Sequence, residues 1–228
     1  MTEMSSSPQD IPTISDDDAT EAADKKPAVK HSEMFSNARK TSSATGPVQY
    51  YTPQWSLAYL DDIMDKLRAL GMTKIWECCA GPPGRRNIAS YYQERGWDVT
   101  ATDVDDTTPR DFYTWSPPSD TWDLIVTNPP FSAKSNTVQR AYDLIMMNGA
   151  QNRGFILLLP TISLDSSTIR AMIKRYDTPT HKFTLLVPPK TIDYELVDKS
   201  KKSRSFFHSS FFMFLPRSVG LEQNMILL

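Results

Sequence analysis

Apolar positions along the chain change period several times, and each change marks an element. Trp55, Leu57, Tyr59, Leu60, Ile63, Met64, Leu67 and Leu70 recur at helical spacing up to Gly71, which predicts one packed helix. Beyond it, the runs KIWECCA, DVTATD, WDLIVTNPP and GFILLLP are short, apolar and rich in β-branched residues, and predict strands. Helical segments alternate with them: RRNIASYYQERG ending at Gly96, TVQRAYDLIMMNG ending near Gly149, and SSTIRAMIKRY. Strands separated by helices of about a dozen positions imply βαβ crossovers and a parallel sheet. The later runs FTLLVPP, TIDYEL and RSFFHSSFFMFLP have no helix between them, so the sheet is expected to finish with antiparallel pairing. The fold class read from this pattern is α/β: a mostly parallel, doubly wound sheet with an antiparallel C-terminal strand pair. No internal repeat interrupts it.

Residues 1–47 break the pattern. They are rich in Ser, Thr, Asp, Ala and Lys with no apolar period, and predict a disordered N-terminal tail. Residues 48–228 are then one domain, a size that suits a single core. The two cysteines, adjacent at Cys78 and Cys79, cannot build a disulfide framework, and no Cys/His spacing suits zinc, so a metal-free protein of a reducing compartment is expected. Both are expected to be inertly buried at a strand end. The longest apolar runs are too short to span a bilayer, which implies a soluble intracellular protein of cytoplasm or nucleus, without membrane partners.

The formal net charge of −2 hides an asymmetry. Residues 1–47 carry five Lys/Arg and eight Asp/Glu, whereas residues 165–217 carry ten Lys/Arg and five Asp/Glu. A basic third suits phosphates as well as it suits a solvated face. Its candidate nucleic-acid contacts are Lys190, Lys199, Lys201, Lys202 and Arg204.

Three stretches carry candidate chemistry. IWECCAGPPGRRNIA ends a strand on Glu77, turns through Gly81 and Gly84, and enters a helix, which brings backbone N–H groups toward a ligand while Glu77 accepts hydrogen bonds or balances positive charge. It is neither a Walker loop nor a Gly-x-Gly-x-x-Gly loop, and alone it reads equally well as a tight connection. Asp103 ends the next strand 22 residues after Gly81, where a carboxylate meets ribose hydroxyls in doubly wound sheets. DLIVTNPPFS closes a buried strand on Asn128-Pro129-Pro130-Phe131; two prolines make that turn stiff, so it holds an amide and a ring in fixed relation. The five tryptophans read as packing residues, and His208 as a strand histidine with no carboxylate beside it.

Together these motifs resemble those of the S-adenosylmethionine-dependent amino-methyltransferases, specifically the N6-adenine DNA methyltransferases in their gamma motif order and small phage-type form. The resemblance covers residues 48 to about 215. It implies a Rossmann-like methyltransferase fold and S-adenosylmethionine as cofactor. It further implies that Glu77, Gly81 and Gly84 bind the methionine part, Asp103 the ribose, and Asp111 and Phe112 the cofactor adenine. YYTP, with Tyr51 and Thr52, is similar to the family's element that closes over the cofactor. Asn128, Pro129, Pro130 and Phe131 would be catalytic, holding the target amine. The chain departs from the family's usual Gly-x-Gly by reading Gly81-Pro82-Pro83-Gly84, which predicts a longer, stiffer loop. DNA is the expected partner. Few residues remain for a recognition domain, so short loops or a partner chain would supply sequence preference. The same turn serves an RNA base or a glutamine side chain, and a nucleic-acid-binding pseudoenzyme without cofactor is the third alternative.

Overall fold

Along each central strand, both sets of alternating side chains are apolar, and they feed two separate cores. Ile75, Leu124, Val126, Ile156, Leu158, Phe211 and Met213 face one core, while Trp76, Ile125, Phe155, Leu157, Leu159, Phe212 and Phe214 face the other. A sheet buried on both faces needs helices on both, as doubly wound sheets have. The computed structural model describes residues 50–149, 152–196 and 207–228; the predicted tail, 1–47, lies outside them.

The main sheet has seven strands in the order β3-β2-β4-β5-β8-β6-β9: β2 (Lys74–Glu77), β3 (Asp98–Ala101), β4 (Leu124–Thr127), β5 (Gly154–Pro160), β6 (His181–Val187), β8 (Ser209–Pro216) and β9 (Met225–Leu227). β2 to β5 run parallel, and β8 lies antiparallel to both β5 and β6, as the sequence pattern predicts. β9 adds a parallel edge strand beside β6. A separate pair joins β1 (Tyr50–Tyr51) to β7 (Glu195–Leu196), antiparallel. Helices α1 (Asp61–Ala69) and α2 (Asn87–Gln93) cover the first core; α3 (Lys134–Met147) and α4 (Ser167–Tyr176) cover the second.

Two elements depart from expectation. The predicted first helix opens as a 3-10 helix, Gln54–Leu60, before α1, because the N–H and hydroxyl of Ser56 both donate to the Pro53 carbonyl, at 3.0 and 2.8 Å, and tighten the turn. Of TIDYEL only Glu195–Leu196 pairs, while Ile192 and Tyr194 are buried in the first core from irregular backbone. His208 is exposed and precedes β8 rather than lying in it.

Topology fixes where ligands belong. From β2 the chain moves outward to β3, then returns to β4 on β2's other side, so the order reverses between β2 and β4. Open α/β sheets bind ligands outside the carboxyl ends of the strands at such a switch point.

Candidate active site

Three neighbouring parallel strands deliver their carboxyl ends to that crevice: β2 ends on Glu77, β3 leads into Asp103, and β4 leads into Asn128. Strand spacing of about 4.8 Å puts β3 and β4 about 10 Å apart, with Glu77 between them. Glu77 is only 2% exposed, and its Oε2 accepts the Ala89 N–H from α2 at 2.8 Å. Burial pushes its carboxyl up to about 8, partly offset by the Ala89 hydrogen bond and the Arg86 charge.

Past Glu77 the chain stays locked to β3. The Ala80 N–H donates to the Thr102 carbonyl at 3.1 Å and the Gly81 N–H to Asp103 Oδ2 at 2.8 Å. Gly81 has φ +75°, and a Cβ there would lie 3.1 Å from the Tyr51 ring, which covers it. Pro82 to Arg85 form a turn closed by the Arg85 N–H on the Pro82 carbonyl at 3.1 Å, with Gly84 at φ +87°. Pro followed by left-handed Gly is the residue pattern of a type II turn, so the longer loop is one rigid bend.

Arg86 fastens that bend. Its guanidinium pairs with Asp106 and donates to the carbonyls of Gly81 and Ala101, each at 3.4 Å. Asp106 in turn accepts the Asp103 N–H at 2.9 Å, and Asp103 Oδ1 accepts the Asp105 N–H at 3.0 Å. Each oxygen of Asp103 therefore takes one backbone N–H, and a carboxylate with about four acceptor sites keeps capacity for two hydroxyls. Arg85 lies over the Tyr51 ring at 5.3 Å, and the Thr52 carbonyl accepts from Asn87 Nδ2 at 2.9 Å, which holds both predicted closing residues, Tyr51 and Thr52, against the loop.

Asp111 and Phe112 follow in a turn in which Asp111 Oδ1 accepts the Tyr113 N–H at 3.0 Å. The Phe112 ring is 3% exposed and packs on Trp76 at 5.4 Å between centroids, within the second core.

At the end of β4, Pro129 is buried and Pro130 exposed, and Phe131 opens a 3-10 turn that leads into α3. The Asn128 amide nitrogen donates to the Tyr50 carbonyl at 3.0 Å. Its Oδ1 is buried with no hydrogen-bond partner among the described residues. Phe131 stacks on Tyr50 at 5.7 Å and 22°, and meets Tyr194 and Phe207 edge-on at 5.9 and 5.5 Å.

Of the basic candidates, Lys190 is exposed, with its ammonium 4.5 Å above the Trp55 ring; Trp55 is itself 43% exposed. Lys199, Lys201, Lys202 and Arg204 lie outside the described residues. Sequence reasoning placed Tyr50 in the closing YYTP element but missed its contact with Asn128, and it missed Arg86, Asn87 and Asp106 as parts of the site. Only the basic pair after the loop and the Asp105-Asp106 doublet hinted at the Arg86–Asp106 pair. Among the described residues no group of three or more His, Cys, Asp or Glu is placed to hold a metal ion, and no helix is long and apolar enough to cross a membrane.

The sheet order and two-faced core are those of a doubly wound, Rossmann-like α/β fold. No family model matches the chain, and no curated protein matches it. Several solved structures are similar. A protein of Listeria monocytogenes described as a class I S-adenosylmethionine-dependent methyltransferase is 13% identical, with TM-score 0.48, over 86% of this chain and 71% of that one. The human methyltransferase 10 domain containing protein is 13% identical, with TM-score 0.48, over 74% and 83%. A modification subunit ascribed to a type I restriction enzyme of Vibrio vulnificus is 15% identical, with TM-score 0.46, over 82% of this chain; the match spans 48% of that subunit.

Proposed function

We propose that this chain transfers a methyl group from S-adenosylmethionine to the N6 exocyclic amine of adenine in DNA. One observation carries the reading: Asn128 keeps a buried acceptor, Oδ1, without a partner among the described residues, at the carboxyl end of a strand bordering the switch point. A buried acceptor left unpaired costs about 1–3 kcal/mol, a cost relieved when a ligand donates to it.

An adenine amine is a poor nucleophile because its lone pair is delocalised into the ring. Asn128 Oδ1 and the Pro129 carbonyl accept its two N–H groups, which draws the nitrogen toward tetrahedral geometry and frees the lone pair. Pro129 and Pro130 stiffen the backbone and so fix the direction of the Pro129 carbonyl. The aromatic cluster of Phe131, Tyr50, Tyr194 and Phe207 beside Asn128 favours a flat aromatic amine over an aliphatic amide.

The residues of the Gly81 loop fit the cofactor. Asp103 retains acceptor capacity for ribose hydroxyls, and Glu77 offers a carboxyl that a neighbouring ammonium group would ionise. When bound, S-adenosylmethionine supplies a methyl group on a cationic sulfur, open to displacement. With that group bound, the lone pair freed by Asn128 Oδ1 and the Pro129 carbonyl would take the methyl carbon, and the electron pair of the carbon–sulfur bond would leave with sulfur. The methylated amine then loses a proton to water, so no side chain needs to act as a preset base. A base in a duplex must first leave the stack, at a cost of a few kcal/mol.

The test is incubation of the full chain with labelled cofactor and separate DNA, RNA and protein substrates, followed by mass analysis of the products. N6-methyladenine from DNA is expected; label appearing only in RNA or protein overturns the substrate assignment. Asn128→Ala is expected to abolish transfer while leaving cofactor binding nearly intact.

A further inference from the structure

We infer that the main-chain carbonyl of Tyr50, on β1, is a positioning group for the target amine, because it fixes which way the Asn128 carboxamide faces. This deepens the proposed function and rests on it for the identity of the target. A carbonyl accepts only from a donor, so the NH₂ end of Asn128 must face Tyr50; a reversed amide would set two acceptors 3.0 Å apart. With the nitrogen so engaged, Oδ1 is turned away from β1 and is the atom left buried and unpartnered.

Tyr50 is itself held. β1 pairs with β7 through Tyr50↔Leu196 and Tyr51↔Glu195, and Asn87 Nδ2 donates to the Thr52 carbonyl at 2.9 Å. The Tyr50 ring also stacks on Phe131, so one residue seats both the amide and the aromatic ring of the corner. The corner's chemistry therefore depends on a strand 78 positions earlier in the chain.

The consequence is a requirement for Asn rather than Asp at position 128. A carboxylate has acceptors alone and repels the Tyr50 carbonyl. A protonated carboxyl restores the arrangement, its O–H donating to Tyr50 and its carbonyl oxygen accepting from the target. Facing a carbonyl raises the carboxyl above its ordinary value of about 3.9, so protonation returns as pH falls.

The experiment measures amide hydrogen exchange of the β1 segment in the full chain at about pH 5 and about pH 8, relative to the wild type at the same pH, for Asn128→Asp and Asn128→Ala. Asn128→Asp is expected to exchange roughly five- to tenfold faster than wild type at the higher pH, the scale of one lost hydrogen bond, and to approach wild type at the lower. Asn128→Ala, with neither donor nor acceptor, exchanges faster at both. Methyl transfer by Asn128→Asp, relative to wild type, should recover in the same direction with pH. An aspartate variant whose β1 protection equals wild type at both pH values, or an alanine variant that loosens nothing, overturns the inference. Wild-type protein that methylates no adenine while β1 exchange follows this pattern overturns the functional reading and leaves the Tyr50 contact standing.

Discussion

Glu77, at the end of β2, accepts the N–H of Ala89 at 2.8 Å while almost wholly shielded from water. That hydrogen bond ties the strand to the helix following the glycine loop, and it places an ionisable group where ionisation is costly. The carboxyl is raised from 4.5 to about 8, chiefly by burial. A raised folded-state value means that the neutral form is favoured. The group's contribution is complete below its unfolded value of about 4.5 and is lost as pH climbs through about 8. Each pH unit in that window costs at most about 1.4 kcal/mol. Glu77→Gln keeps an acceptor for Ala89 but cannot ionise. Thermal melts of the cofactor-free protein should show the wild type losing stability relative to this variant between these pH values. Parallel curves would place the Glu77 carboxyl in an ordinary, solvated environment.

The two glycines of the loop separate backbone strain from contact. Gly81 and Gly84 both have positive φ, but only Gly81 has a neighbour near its missing Cβ, the Tyr51 ring at 3.1 Å. Either alanine substitution pays about 1–2 kcal/mol for the left-handed backbone. Gly81→Ala must also displace Tyr51, so denaturant unfolding should find it the more destabilising of the two. In a Tyr51→Ala background the gap should close; a gap that persists would assign the excess to something other than the ring.

How much of this was legible in the sequence depended on whether the signal was local. Strands alternating with helices announced a doubly wound sheet, and the structure shows its strands apolar on both faces, as at Ile75 and Trp76 or Leu157 and Leu158. Glu77 and Asn128 were legible at strand ends because glycines and prolines follow them, whereas β3 ends at Ala101, two residues before Asp103, where no glycine or proline marks the boundary. Contacts joining distant positions left no such mark. The Asn128–Tyr50 hydrogen bond spans 78 positions and uses a backbone atom, which every residue possesses. The 3-10 helix Gln54–Leu60 shares its apolar spacing with an α-helix, so periodicity could not separate them. Nor did the sequence mark the packing of the Phe112 ring on Trp76.

Arg86 holds the glycine loop from three directions, through the Gly81 and Ala101 carbonyls and the Asp106 carboxylate. A lysine cannot present a planar fork to all three. Arg86→Lys and Arg86→Ala are therefore both expected to weaken S-adenosylmethionine binding, by about tenfold, or about 1.4 kcal/mol, in calorimetry. A double-mutant cycle of Arg86→Ala with Asp106→Ala should give a coupling of about 0.5–3 kcal/mol. Additive effects would mean that the pair does not act as one brace.

Among the described residues Lys190 and Trp55 form an exposed cation–aromatic pair, and under the proposed function the two side chains predict different signatures. The ammonium lies 4.5 Å above the indole, and Trp55 remains 43% exposed, so a base can stack where the ring meets solvent while the cation meets a phosphate. Removing a phosphate contact lowers the slope of log affinity against log salt by about 0.9 for duplex or about 0.7 for a single strand. Removing a stacking platform costs about 1–3 kcal/mol and leaves the slope unchanged. Lys190→Ala should therefore flatten the salt dependence of oligonucleotide binding, and Trp55→Ala should weaken binding evenly at every salt concentration. The competing view, a cation–π contact that only steadies the fold, predicts the reverse: both substitutions lower the melting temperature and neither alters binding. Titrations of fluorescent oligonucleotides across a salt series, run beside thermal melts, decide between them, because the two roles leave their marks on different measurements.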